Sequence, residues 1–123
     1  MKYAILIYSN PQSRALWEGF TDAERGEGFR VYAALQADLA SSGELIVSEA
    51  LADVSQTKRV TARRGRTTTT DGPFAEAKEL LAGFFLVECE NLERVIEHAA
   101  RVPEAEYGLV EVRPVLDLSG VGL

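Results

Sequence analysis

With 123 residues the chain has room for one domain, residues 1–123, and its 46% hydrophobic, 26% charged composition is that of a soluble globular protein. A net charge of −6 and a pI near 4.8 work against non-specific attraction to nucleic acid or anionic membranes. The longest apolar runs, residues 4–8 and 80–87, fall well short of the roughly 20 residues that cross a bilayer. The N-terminus enters strand-like sequence with no basic leader pattern, so no secretory signal is expected. Cys89 is the single cysteine and cannot form an internal disulfide, which suits a cytoplasmic location. One histidine and one cysteine argue against a zinc site, and neither a metal nor a cofactor is expected.

Residues Lys2–Ser9 are apolar on both alternating faces, the pattern of a central strand. Asn10, Pro11 and Gln12 break it. Residues 13–20 are expected to be irregular, with Trp17 and Phe20 anchored on the core. Thr21 and Glu24 have the spacing of a capping box, which predicts a helix running to about Ser41 with Phe29, Tyr32, Leu35 and Leu39 along one stripe. Gly43 is its natural C-cap. Glu44–Glu49 reads as a short strand. Residues 57–64 and 66–70 read as the arms of a hairpin turning at Arg64-Gly65. Gly83–Glu90 is a further strand, after which Asn91 caps a helix with Leu92, Val95, Ile96, Ala99 and Ala100 at helical spacing. Pro103 ends that helix, and Leu109–Val115 is the last strand.

The order is β-α-β, a hairpin, then β-α-β. Without the inserted β-hairpin this is an α+β, ferredoxin-like βαββαβ unit, with two helices on one face of an antiparallel sheet. The first strand is apolar on both sides, so the other face also needs cover, and a homodimer packing sheet against sheet would supply it. Strand alternation places Phe85, Val87 and Cys89 on one face and Phe84, Leu86, Glu88 and Glu90 on the other. In the last strand Val110 and Val112 share a face, and Leu109, Glu111, Arg113 and Val115 share the opposite one. Glu88, Glu111 and Arg113 therefore point into the dimer interior or cleft, where charge must be paired or wet. A structural Glu–Arg bridge at the dimer seam is the favoured reading. The functional one is a polar pocket in which Arg113 orients an anionic ligand and a carboxylate serves as base. Tyr3 and Tyr8 fall on opposite faces, and Tyr8 would bring its hydroxyl to the cleft mouth.

Asp71-Gly72-Pro73-Phe74 follows the hairpin. Each of these residues has a local structural role. Asp71 caps an Asx-type turn, Gly72 supplies unusual φ values, Pro73 suits a first helical turn, and Phe74 pins the segment to the core. Glu76, Lys78 and Glu79 continue the pattern with alternating charge. Arg59, Arg63, Arg64 and Arg66 make the hairpin basic within an acidic chain, and a solvated hairpin is favoured over a nucleic-acid contact. His98, the only imidazole, lies about 130° from the centre of its helix stripe at 3.6 residues per turn. It is expected to face solvent or a helix flank.

Thr70-Asp71-Gly72-Pro73-Phe74-Ala75-Glu76, Lys78-Glu79, Gly83-Phe84-Phe85-Leu86 and Glu111-Val112-Arg113-Pro114 together resemble the YCII-related, DGPF-domain family. Lys2-Tyr3 with Tyr8 and Arg101-Val102-Pro103 agree, so the likeness spans about residues 1–115. The resemblance implies a dimeric α+β barrel of two ferredoxin-like units packed face to face. Relatives in the wider superfamily look like small-molecule enzymes using a His and an Asp in the barrel cleft. By that resemblance Asp71 is the candidate catalytic residue; Tyr8, Glu88, Glu111 and Arg113, placed by the strand faces, together with Phe74 and Lys78, are the candidate ligand-binding residues. The histidine does not carry over, because residues 13–29 contain none. Family members are also often encoded beside extracytoplasmic-function sigma factors. The expectation is a cytoplasmic homodimer binding an unidentified small molecule and performing acid/base chemistry if it is an enzyme. The alternative is a non-catalytic accessory module of a sigma-factor system.

Overall fold

The structure is a computed structural model and describes residues 1–72 and 78–121. Four antiparallel strands form the main sheet: β1 (Lys2–Ser9), β2 (Leu45–Ala50), β5 (Leu80–Glu88) and β6 (Val110–Pro114), in the order β2-β5-β1-β6. Helices α1 (Pro11–Gly19) and α2 (Asp22–Ser42) follow β1, and α3 (Leu92–Ala99) joins β5 to β6. Strands β3 (Lys58–Arg63) and β4 (Arg66–Asp71) pair only with each other, as a separate two-stranded sheet. The fold is the expected α+β, ferredoxin-like arrangement with an inserted hairpin.

Local chemistry explains most boundaries. Thr21 Oγ1 accepts from the Glu24 N–H while the Glu24 carboxylate accepts from the Thr21 N–H, so two otherwise orphaned donors start α2. Gly43 ends it in the left-handed region at φ 79°. The hairpin turns on Arg64 and Gly65, both at positive φ, as a two-residue primed turn requires.

The helix-covered face of the sheet holds the core. Tyr3, Ile5 and Ile7 from β1 meet Phe85 and Val87 from β5, under Leu35 and Leu39 of α2 and Val95 of α3. Gly83 is there because β2 passes too close for a side chain: an added Cβ would lie 2.9 Å from the Glu49 carbonyl oxygen. Two register irregularities interrupt the ladders, between Ile7 and Tyr8 against β5 and between Leu45 and Val47 in β2.

Several elements differ from expectation. Residues 11–19 are helical, not irregular: Asn10 accepts from the Ser13 N–H at 2.7 Å, Ser13 Oγ accepts from the Asn10 N–H at 2.9 Å, and Pro11 opens the first turn. Trp17 and Phe20 do not reach the core. They form an edge-on aromatic group with Phe29 on α2, with Arg25 5.4 Å from the Trp17 ring centre. Phe29 thereby leaves the expected stripe and is 62% exposed. On α3 the buried positions are Val95, His98 and Ala99, while Leu92 and Ile96 are exposed. Leu109 precedes β6, directly after the left-handed Gly108, so strand alternation does not govern it and it is buried.

Candidate functional site

The sheet carries one polar cluster on each face. The first is closed. Glu44, just before β2, accepts from Arg94 through both carboxylate oxygens, at 2.9 and 3.1 Å, and from Ser42 Oγ at 2.7 Å. His98 Nε2 lies 3.1 Å from the same carboxylate. This overturns the expected outward position of His98: burial of its ring is favoured because Glu44 meets it from across the core edge. Hydrogen bonds from Arg94 hold the Glu44 carboxyl down at about 2, against the opposing effect of burial, with Ser42, Cys89 and His98 assisting. Burial first, then the hydrogen bond with Glu44 and that carboxylate's charge, push the Cys89 thiol up to about 11.

Glu44, Cys89 and His98 place a carboxylate oxygen, a sulfur and a ring nitrogen within 4.8 Å of one another, donor types that zinc accepts. Their chemistry here is that of a clamp. The Arg94 fork engages both Glu44 oxygens, and Ser42 and His98 meet one of them, so the carboxylate ties the start of β2 to α3. No buried side-chain nitrogen or oxygen among the described residues lacks a partner.

The second cluster lies on the face without helices. Pairing sets Leu6 beside Glu111 and Ala4 beside Arg113, so Glu111 and Arg113 share that face with Phe84 and Leu86. Tyr3 is core and Tyr8 is on the open face, as alternation requires. The irregularity after Ile7 skips Ala82 of β5 and pairs Tyr8 with Leu81, near the sheet's end. A hydrogen bond to Glu111 is the main influence raising the Tyr8 pKa, followed by burial and by the charges of Glu111 and Glu79; Arg113 opposes them. Tyr8 therefore remains a protonated phenol beside a carboxylate and a guanidinium. Glu79, the last residue of the charged run after the DGPF segment, joins this group through that charge interaction.

The other candidates sit apart. Glu88 is on the open face, at the far end of β1, where it pairs with the N-terminal amine at 3.3 Å. Among the described residues, neither Glu88 nor Glu111 forms an ion pair with Arg113 within the chain. Asp71 closes β4, is 85% exposed, and is ion-paired and hydrogen-bonded to Lys58 across the hairpin. Among the described residues it makes no hydrogen bond or ion pair with Tyr8, Glu111 or Arg113. The Gly72 N–H donates to the Thr57 carbonyl at 2.9 Å, and a Cβ there would meet Thr57 Cγ2 at 3.0 Å. Close approach, rather than a positive φ, accounts for this glycine. Lys78 is exposed ahead of β5, and Phe74 lies outside the described residues.

A family model described as the YCII-related domain matches residues 1–119. The chain belongs to the YCII-related family. An uncharacterised protein of Rhizobium meliloti (strain 1021) is similar to it, with 31% identity over 117 residues, 94% of this chain and 92% of that protein. The family match covers both polar clusters of this YCII-related protein, along with the hairpin bearing Asp71.

Proposed function

We propose that this YCII-related protein is a cytoplasmic homodimer that binds a small organic molecule over the open sheet face, between Tyr8, Glu111 and Arg113. The observation that carries this reading is that an apolar floor of Leu6, Phe84 and Leu86, half-buried in the single chain, ends in those three polar side chains. Small-molecule sites combine such floors with a few convergent polar groups. Arg113 supplies a forked donor for a carboxylate or other oxyanion. Tyr8 and Glu111 form a donor–acceptor pair suited to moving one proton, so any reaction at this place is acid/base chemistry on an oxygen-bearing substrate. Asp71, committed to Lys58, serves to order the base of the hairpin in this reading.

The test is ligand-observed NMR with a set of small carboxylic acids and carbonyl compounds. Binding that disappears in Arg113→Ala and weakens in Tyr8→Phe supports the site, whereas equal binding by wild type and Arg113→Ala overturns it. A second reading, an accessory module of a sigma-factor system, is favoured by the basic hairpin alone. It fails if replacing Arg63, Arg64 and Arg66 with Ala leaves the recovery of a sigma factor in pull-down unchanged.

A further inference from the structure

Five of the chain's 13 lysines and arginines fall within residues 58–66, and no carboxylate occurs between Asp53 and Asp71. Outside residues 58–71 there remain 18 of the 19 carboxylates and eight of the cations, an acidic surplus of ten. The hairpin is thus a basic arm on an acidic body. It is not hydrogen-bonded into the main sheet, every residue of β4 is exposed, and Val60 on β3 is 64% exposed. Among the described residues Arg63, Arg64 and Arg66 have no ion pair. A two-stranded hairpin alone is marginal in water and gains stability from a surface laid against it.

The complementary surface is the corner between α1 and α2. Four carboxylates, Glu18, Asp22, Glu24 and Glu27, fall within ten residues. Glu24 is committed to the Thr21 cap and Glu27 to Arg30, which leaves Glu18 and Asp22 without ion pairs among the described residues. Beside them Leu16, Trp17 and Phe29 are 46%, 39% and 62% exposed, next to an open hollow of about 540 Å³ that Leu16, Phe20 and Glu24 help to line. Exposed apolar area rimmed by charge marks a docking surface, and an indole face also accepts guanidinium groups.

We propose that the β3–β4 hairpin of one protomer docks on the α1–α2 corner of a second copy of this chain. Arg63, Arg64 and Arg66 meet Glu18 and Asp22, and Val60 rests on the exposed apolar side chains. The inference rests on the homodimer of the preceding section. A six-residue arm spans about 20 Å, twice the roughly 10 Å between face-packed sheets, so it is long enough to pass the partner's sheet. Charge decides between occupants: the arm is attracted to the acidic body of a second copy, while the same body repels a nucleic acid approaching the arm.

The experiment measures the dimer dissociation constant by sedimentation at low and high salt. The variants are R63E/R64E/R66E, E18K/D22K, all five substitutions on one chain, and Leu86→Asp on the open face. Each reversed set is expected to weaken the dimer by about tenfold and to remove most of its salt dependence. The combined chain should recover wild-type affinity, which misfolding could not produce. If the dimer breaks in Leu86→Asp but is indifferent to arginine reversal, the arm is overturned and the sheet-packed dimer stands. A wild type that is monomeric throughout overturns both. Binding of a fluorescent double-stranded oligonucleotide that is lost on arginine reversal, with the dimer constant unchanged, assigns the arm to nucleic acid and overturns the proposal.

Discussion

The two polar clusters on opposite faces of one sheet each contain a glutamate and an arginine, and they have opposite characters. Around Glu44, an arginine, a histidine, a serine and a thiol converge until each oxygen is used. Around Tyr8, a carboxylate and a guanidinium stand close enough to shift the phenol's pKa, yet Arg113 has no carboxylate ion-paired to it among the described residues. Both sets perturb pKa values, so perturbation alone does not separate scaffold from site. Unused hydrogen-bonding capacity does. The closed cluster ties the start of β2 to α3, while the open one leaves Arg113 without an ion pair among the described residues.

The sharpest way to break this comparison is Glu44→Ala. It leaves the buried His98 ring without its acceptor and the half-exposed Arg94 with Glu97 alone, and is expected to cost about 1–3 kcal/mol in urea unfolding. A cost below about 0.5 kcal/mol, the range of ordinary surface changes, would remove the clamp reading. Acid titration of stability examines the same residue. The folded pKa of Glu44, about 2, lies below its ordinary value of 4.5, so its contribution is complete above that value and is lost as pH falls towards 2. Wild type should lose more stability than Glu44→Ala over this interval, and parallel curves would count against the assignment.

Cys89 reports on the closed cluster by chemistry. With its thiol pushed up to about 11, alkylation by iodoacetamide near pH 8 should be at least about 100-fold slower in the native protein than in urea. Equal rates would mean that the cluster opens freely. The smallest expected change in stability belongs to the open face: Arg113→Ala should alter unfolding by no more than about 0.5 kcal/mol while removing ligand binding. A large loss of stability there would make Arg113 part of the scaffold and erase the distinction.

What was legible in the sequence followed from the range of the interactions involved. The α2 cap, the Gly43 stop and the Arg64-Gly65 turn depend on neighbours within a few residues, and period-two alternation was enough to put Glu111 and Arg113 on the uncovered face. The burial of His98 was hidden because its acceptor, Glu44, is 54 residues away and no local pattern links them. The first helix did leave a signal, Asn10 and Ser13 around Pro11, but without a buried stripe that signal looks the same as a strand break. Trp17 and Phe29 misled for a related reason. Large aromatics usually anchor cores, and these two pack on each other outside it. Asp71 combined a local role with a family resemblance, and neither encoded that Lys58 would engage its carboxylate across the hairpin.

The irregular start of β2 bears on how the molecule stays dispersed. An outer strand with regular pleat and exposed Ile46 and Val47 would be a template for another chain to add to, the first step of edge-to-edge aggregation. The extra residue between Leu45 and Val47 spoils that template. At the opposite border, Pro114 removes an amide donor from β6. Both borders of the main sheet are thus blunted against runaway strand addition.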